Sequence, residues 1–435
     1  MARFNLLLAI LGFLPLVLAQ RPALPLSASS RWILDANGNR IKFRCVNWPA
    51  HMEPNVPEGL HRQSMDYLVS WIKRNNFNCV RLTYSIDHAL NPSITVRDSF
   101  NKAATDANVP LSAMQTMYRE ITQLNPWITN STTTGDVFAA LVDKLWEQEI
   151  PTILDNHVSR AQWCCNINDG NGWWDKAFGY NTWNSRFFNT ANWLAGLQAM
   201  AAWSQSRKGV VAMSLRNELR AFLLQDLNGR QDWYHYIKTA GDLVHDTHPD
   251  VLILVGGSQS STDLTHLRNR MLDNASWKHK TVWEMHAYSF TVTFPDAFKS
   301  CDVVKAQYGL WSGFVLEQNR AYTGPMILSE FGVGMQGGGL ENGLSEKDDR
   351  YLRCLVDYMK GNDADWAVWA LAGSYYVREG VVDYEETWGL LGRDWKDWRN
   401  EGFKDMLGDM WRVTQGPGRK RGVAEWVRRK VWGGA

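Results

Sequence analysis

Eight short runs of apolar or mixed residues recur along the chain, at 41–48, 78–84, 150–158, 210–218, 251–257, 281–290, 325–332 and 366–376. Each is too short for a helix core and is bounded by polar residues, the pattern of strands buried on both faces of a parallel sheet. Between the runs the apolar spacing changes. Met65, Leu68, Val69 and Ile72 follow the i, i+3/i+4, i+7 stripe of a helix packed on a sheet, as do Phe138, Leu141, Val142 and Leu145; Trp233, Ile237, Ala240 and Val244; and Leu352, Leu355, Val356 and Met359. Strands alternating with helices, eight times over, predict an α/β fold, a (β/α)8 TIM barrel. The longest gap, 85–135, predicts an insertion between strands 2 and 3, with a helix around 112–124, that shapes a cleft on the barrel's upper face. Residues 31–40, centred on Asn37-Gly38, predict a hairpin under the barrel before the first strand. Residues 163–174, Trp-Cys-Cys-Asn-Ile-Asn-Asp-Gly-Asn-Gly-Trp-Trp, predict a structured loop at the cleft.

The strand ends carry the candidate chemistry. The fourth run, Val-Val-Ala-Met-Ser-Leu-Arg-Asn-Glu-Leu from Val210, finishes in an amide and a carboxylate, and the seventh, Pro-Met-Ile-Leu-Ser-Glu-Phe-Gly from Pro325, brings a second carboxylate to the same setting. Active sites of β/α barrels form at the C-terminal strand ends, which here hold Arg81, His157, Asn217-Glu218, His286 and Tyr288, Glu330, and Trp369. Paired carboxylates suggest glycoside hydrolysis. Glu218 would act as acid and then base and Glu330 as nucleophile, about 5–5.5 Å apart if configuration is retained. Arg81 and Tyr288 suit a Glu330 anion, whose charge would raise the pKa of Glu218. Asn217 suits the sugar 2-hydroxyl, and His157 and His286 would orient hydroxyls or carboxylates. The two-residue strand period puts Glu284 on the face of His286 and Tyr288, and Arg216 on that of Glu218, so Glu284 is expected to partner Arg216 inside the barrel. Asp383, Glu385 and Glu386 are expected at the cleft rim or in solvent.

This set resembles glycoside hydrolase family 5, the cellulase-like family of clan A, over about residues 31–412. The resemblance implies a retaining β-glycosidase on a (β/α)8 barrel, with Asn-Glu after the fourth strand and Glu after the seventh. It also implies Arg on the second strand, His on the third, His-x-Tyr on the sixth and Trp on the eighth. Arg81, His157, His286-Ala287-Tyr288 and Trp369 hold those places. The likeness is to fungal- and plant-type members of uncertain substrate. Leu219-Arg220 departs from the pattern, since many members have Pro after the Glu. The expected activity is hydrolysis of a β-linked oligo- or polysaccharide by double displacement. The alternatives are a catalytically silent carbohydrate-binding barrel and a transglycosylase. A metal-dependent hydrolase using His51, His157, His286 and Asp155 is a further class, disfavoured by the lack of a His-x-His strand motif.

Composition and the chain ends change the picture further. The 23 Trp exceed what a core of this size needs and suit sugar stacking. Arg3, the apolar run 6–18 and Val17-Leu18-Ala19 read as a secretory signal over 1–19, and no later segment has the roughly 20 apolar residues of a membrane span. A secreted, extracellular, monomeric protein is expected, with N-glycosylation candidates at Asn130 and Asn274. Net charge is +1 for the whole chain, and it becomes about −5 once the signal and the basic tail 413–435 are set aside, which argues against a nucleic-acid partner. The catalytic domain is expected over 20–412 and the tail is expected to be disordered. Six cysteines allow 15 pairings, Cys301 with Cys354 being a plausible one. No zinc-ligand spacing occurs, and neither a metal nor a cofactor is expected.

Overall fold

The computed structural model describes residues 21–290 and 300–417; the signal 1–19 lies outside the described residues. Eight parallel strands close into a barrel in chain order: β1 Arg44–Trp48, β2 Cys79–Ser85, β3 Thr152–Val158, β4 Val210–Ser214, β5 Leu252–Gly256, β6 Thr281–Ala287, β7 Met326–Phe331 and β8 Asp365–Val368. Strand β8 pairs with β1, so the sheet has no free edge. The predicted helical stripes face the sheet: Met65, Leu68, Val69 and Ile72 are buried in helix Met65–Arg74, and Phe138, Leu141, Val142 and Leu145 in helix Thr134–Glu147. Their starts are fixed locally. Ser64 caps the first through the Tyr67 amide, and Thr133 and Asp136 form a reciprocal capping box on the second.

The inward face of the strands changes character over one two-residue step. Low in the barrel it is apolar, with Cys45, Cys79, Ile153, Ala212, Leu254, Val282, Ile327 and Ala367 in one buried cluster. Two residues further along it is polar, with Asn47, Arg81, Asp155, Ser214, Glu284 and Ser329 all buried. The apolar layer is covered below by an antiparallel pair, Ser27–Ser29 with Trp32–Leu34, through Leu26 and Ile33. The predicted hairpin is therefore shifted: its turn is at Ser30, while Asn37-Gly38 closes a smaller bend between Leu34 and Arg40, held by Asp35 Oδ1 accepting from the Asn37 and Asn39 amides.

Three other expectations change. The run 366–376 is split: β8 ends at Val368, and Ser374–Arg378 leaves the barrel to pair with Val381–Glu385. Gly373 permits the departure, since a Cβ there would lie 2.1 Å from the Gly392 carbonyl oxygen. The insertion after β2 holds helices Ile86–Leu90, Val96–Asp106 and Leu111–Leu124, but it supports the cleft from behind. Phe100 packs edge-on against Tyr376 of the post-β8 hairpin, and the Ser99 hydroxyl donates to the Pro54 carbonyl. Finally, the chain stays docked through residue 417. Asp363, in the left-handed region at φ 50°, accepts from the Thr414 and Gln415 amides and pairs with Arg40 and Lys42. The rest of the basic tail lies outside the described residues.

Cys301 bonds Cys354 as expected, joining helix Cys301–Trp311 to helix Glu346–Asn362. Cys45 bonds Cys79 across paired positions of β1 and β2, and Cys164 bonds its neighbour Cys165. Asn130 is exposed, but Asn274 is buried and its Nδ2, the atom a glycan would occupy, donates to Thr281 Oγ1 at 2.7 Å. The second sequon is thus structural, a polar bond under the sheet.

Candidate active site

Arg81 organises the mouth of the barrel. Fully buried on β2, it donates from Nη1 to Asn47 Oδ1 at 2.9 Å and Glu330 Oε2 at 3.3 Å, and from Nη2 to Asp155 Oδ1 and Asn217 Oδ1, both at 2.9 Å. Its Nε lies 3.6 Å from Glu284 Oε1. Burial would lower its pKa, but Asp155, Glu284 and Glu330 outweigh that and hold the guanidinium charged. Glu284 is therefore a partner of Arg81 and, through Oε2, of the Ser214 hydroxyl. It does not meet Arg216, which donates to Asn156, Ser159 and the Asn171 carbonyl and lies over the Phe188 ring. The strand period does not extend to Arg216 because β4 ends at Ser214.

Glu218 and Glu330 face each other in different company. One carboxyl oxygen of each, and a ring nitrogen of His286, lie within 4.8 Å of one another. Glu330 accepts from the Tyr288 hydroxyl at 2.9 Å and from Arg81. Glu218 Oε1 lies 3.0 Å from His286 Nδ1, and Oε2 lies 3.8 Å from Arg220 Nη1. Burial pushes both carboxyls up to about 7. At Glu330 the neighbouring Glu218 charge adds to the rise, while His286, Arg81 and Tyr288 oppose it; at Glu218 Arg220 is the main opposing charge. Burial also lowers the His286 pKa, and Nδ1 is placed to exchange a proton with Glu218.

Leu219 stands in the family's proline place, and Arg220, which follows it, has a definite task. It forms a bidentate pair with Asp169 at 2.9 and 2.8 Å and donates to the Glu218 carbonyl at 3.0 Å, tying the loop after β3 to the end of β4. A second clamp comes from the loop after β5. Gln259, Ser260 and Ser261 all have φ between 51° and 59°, costly for non-glycine residues. The turn is held because the Ser260 amide donates to the Leu219 carbonyl and the Ser261 hydroxyl to the Asn217 carbonyl. Gly256 lets it close, since a Cβ there would meet Ser261 Oγ at 2.4 Å.

The cleft has a volume of about 480 Å³ and is lined by Glu218, Glu330, His157, Tyr288 and Trp369 together with residues that the strand ends alone did not reveal. These are Trp163, the Cys164–Cys165 pair and Asn166 after β3, Ser260 after β5, Phe290 after β6, and Arg378, Glu386 and Trp388 after β8. The Trp-rich loop after β3 was the available signal for the first group. Trp369 stacks on His157 with ring centroids 5.4 Å apart. Arg81, Asn217 and His286 are buried one layer behind. Asn217 gives Oδ1 to Arg81, so Nδ2 points outward, 3.4 Å from His157 Nε2 and 3.5 Å from Cys165 Sγ. Glu386 is a buried cleft residue paired with Arg378 at 2.8 Å, not a solvated one, whereas Asp383 is turned to His61, Arg62 and Arg393, and Glu385 to Arg399.

Among the described residues, two groups have a spacing that could hold a cation. His157 with Cys164 and Cys165 is one, but its sulfurs are joined to each other and offer no thiolate. Glu218, His286 and Glu330 form the other, and an ion there would compete with Arg81 and Tyr288 for Glu330. His51, His157, His286 and Asp155, the residues of the metal-hydrolase alternative, do not together form such a group among the described residues.

The chain matches the family model described as Cellulase (glycosyl hydrolase family 5) over residues 34–374. It is 37% identical over 411 residues to a Glycosyl hydrolase 5 family protein of Chamaecyparis obtusa, covering 92% of this chain and 68% of the relative. It is 24% identical to an endoglucanase of Paenibacillus polymyxa, over 86% of this chain and 84% of that one. Among solved structures, the fold is similar to the endocellulase of Pyrococcus horikoshii in complex with cellotetraose, with a TM-score of 0.69 at 16% identity, covering 90% of this chain and all of that one. The catalytic domain of the major endoglucanase of Xanthomonas campestris superposes with a TM-score of 0.66 at 18% identity, over 88% and 99% of the two chains.

Proposed function

This chain belongs to glycosyl hydrolase family 5 and is a glycoside hydrolase, and from that premise we propose that it cleaves β-linked glucan or gluco-oligosaccharides with retention, Glu330 as nucleophile and Glu218 as acid and then base. The observation that carries the mechanism is the approach of the two carboxyls to within 4.8 Å. A retaining pair stands about 5–5.5 Å apart, whereas an inverting pair needs about 6.5–9.5 Å to admit a water. The role of each follows from its partners. Glu330 sits on a permanent cation and a phenol hydroxyl, which favour the anion that attacks the anomeric carbon. Glu218 sits on an imidazole that can pass a proton. In the first step Glu330 bonds to the anomeric carbon as Glu218 protonates the departing oxygen. In the second, Glu218 takes a proton from water, whose oxygen displaces Glu330.

The glucan substrate is supported by the similarity to an endoglucanase and, in fold, to an endocellulase. Export from the cell, with cleavage after residue 19 and glycosylation at exposed Asn130, is part of the same reading and is supported by three disulfides, which suit an oxidising compartment. The test is the anomeric configuration of the first product by NMR, run with wild type and with Glu330→Ala. A β-configured first product, lost in the variant, is expected; an α-configured one sinks the nucleophile assignment.

A further inference from the structure

Every described residue that lines the cleft comes from the ends of β3 and β7 or from the loops after β3, β4, β5, β6 and β8, and none from β1, β2 or the loops after them. The mouth over β1 and β2 is closed. Asn47, Ala50, His51, Met52 and Thr83 are fully buried there, the His51 ring lies 6.4 Å from Trp369, and Trp369 in turn meets a bridge that runs from the loop after β3 to the hairpin after β8. The bridge is continuous. The Arg378 guanidinium lies 3.5 Å over the Trp163 ring and pairs with Glu386 at 2.8 Å; Trp163 packs edge-on against Tyr375 at 5.4 Å and against Trp369 at 6.5 Å. Behind the hairpin, Tyr376 is backed by Phe100 and donates its hydroxyl to the Pro57 carbonyl. Stacking on Trp163 and the ion pair with buried Glu386 together hold Arg378 in place.

The direction of the substrate follows from the chemistry and rests on the glycosidase reading above. The leaving oxygen must reach Glu218 on the β4 side, so the acceptor half extends toward the loops after β5 and β6, where Ser260 and Phe290 line the cleft. The sugar that bonds to Glu330 must then lie over Trp369, with its far end toward Trp163 and Arg378. We propose that the Trp163–Arg378–Glu386 bridge ends the donor side after one sugar, and that the enzyme removes single residues from the non-reducing end of a β-linked chain. Arg378 donates to, and Glu386 accepts from, the terminal hydroxyls that an internal segment does not have free.

The experiment follows early products from a reducing-end-labelled cello-oligosaccharide, in wild type, Arg378→Ala and Trp163→Ala, with Glu330→Ala as the control for the catalytic assignment. Wild type should release glucose and a labelled chain one unit shorter, and should hydrolyse an aryl β-glucoside. The bridge variants should raise disaccharide release relative to glucose by about tenfold, the worth of one added binding contact. Circular dichroism would identify a misfolded variant, in which case the wild-type product pattern decides alone. Internal cuts or disaccharide release by wild type, abolished in Glu330→Ala, overturn the one-sugar limit while leaving the glycosidase assignment intact. If the cello-oligosaccharide is untouched, gluco-, manno- and galacto-oligosaccharides of other β-linkages are read the same way. Cleavage of none of them removes the proposed function and this inference with it.

Discussion

The barrel interior has two storeys built on the same strands, and they behave differently. In the lower storey Ile153, Leu254, Val282 and Ile327 meet as apolar neighbours, each contributing through contact and exclusion of water. In the upper storey one cation, Arg81, is shared among Asp155, Glu284 and Glu330, and two amide oxygens complete its bonds. Lower-storey residues can be changed one at a time for a cost set by volume. An upper-storey change alters the charge state of every neighbour. The strands therefore join a tolerant base to an intolerant site within one two-residue step.

The largest effect expected from breaking the upper storey is on catalysis. Glu330→Ala should reduce turnover of ordinary glycosides to background, and Glu218→Ala should slow poor leaving groups by roughly 10²–10⁴-fold while sparing activated aryl glycosides more. Sodium azide sharpens the assignment. Entering the space left by Glu330 it should give the α-glycosyl azide, whereas in Glu218→Ala it should intercept the covalent intermediate and give the β-azide. The same anomer from both variants would show that the two carboxyls do not have distinct roles.

Arg81→Met comes next, and its effect is on folding. Removing one partner of a buried ion cluster costs about 3–5 kcal/mol because the remaining charges lose their compensation. Three carboxyls depend on this one guanidinium. Urea unfolding at neutral pH measures the loss. A cost of under about 1.5 kcal/mol, the range of a minor core change, would mean that the upper storey is no more coupled than the lower.

How much of this could be read from the chain depends on the range of the interaction. The storeys were legible as charged residues interrupting apolar runs, Val-Arg-Leu-Thr and Leu-Asp-Asn-His, and the strand-end rule found Glu218 and Glu330. The partner of Glu284 was not legible, because it depends on where β4 stops and on which strand lies across the barrel. Apart from Gly373 and Ser374 the run Trp366 to Tyr376 is apolar, and the hydrophobic pattern cannot separate a buried strand from a buried hairpin. The bridge of Trp163, Arg378 and Glu386 joins positions more than 200 residues apart and has no local trace at all. Leu219-Arg220 read as a departure from the family pattern, and only the bond to Asp169 shows what the arginine does.

The pH dependence of stability tests the carboxyl pair directly. Burial raises the folded-state pKa of Glu218 and Glu330 from the ordinary 4.5 to about 7. The folded protein then binds more protons than the unfolded chain between those values, so stability contributed by the protonated pair is present at pH 4.5 and is lost as pH rises toward 7. Wild type should lose more stability between pH 5 and pH 8 than the Glu218→Gln, Glu330→Gln double variant, which should be the more stable of the two at pH 8. Equal slopes in urea titrations at the two pH values would show that the pair is not held protonated by burial.

The smallest effect belongs to the lower storey. Ile153 lies on the same face of β3 as Asp155, two residues before it, yet it belongs to the buried apolar cluster. Ile153→Val should cost about 0.5–1.5 kcal/mol, the price of one methylene and the space it leaves. Because the change moves no charge and adds no polar atom, the pH profile of kcat/KM should be superimposable on that of wild type. A shift in that profile, measured on an aryl β-glycoside, would show that packing below is transmitted to the protonation of the carboxyls above. The base would then be part of the site and the boundary between the storeys would not hold.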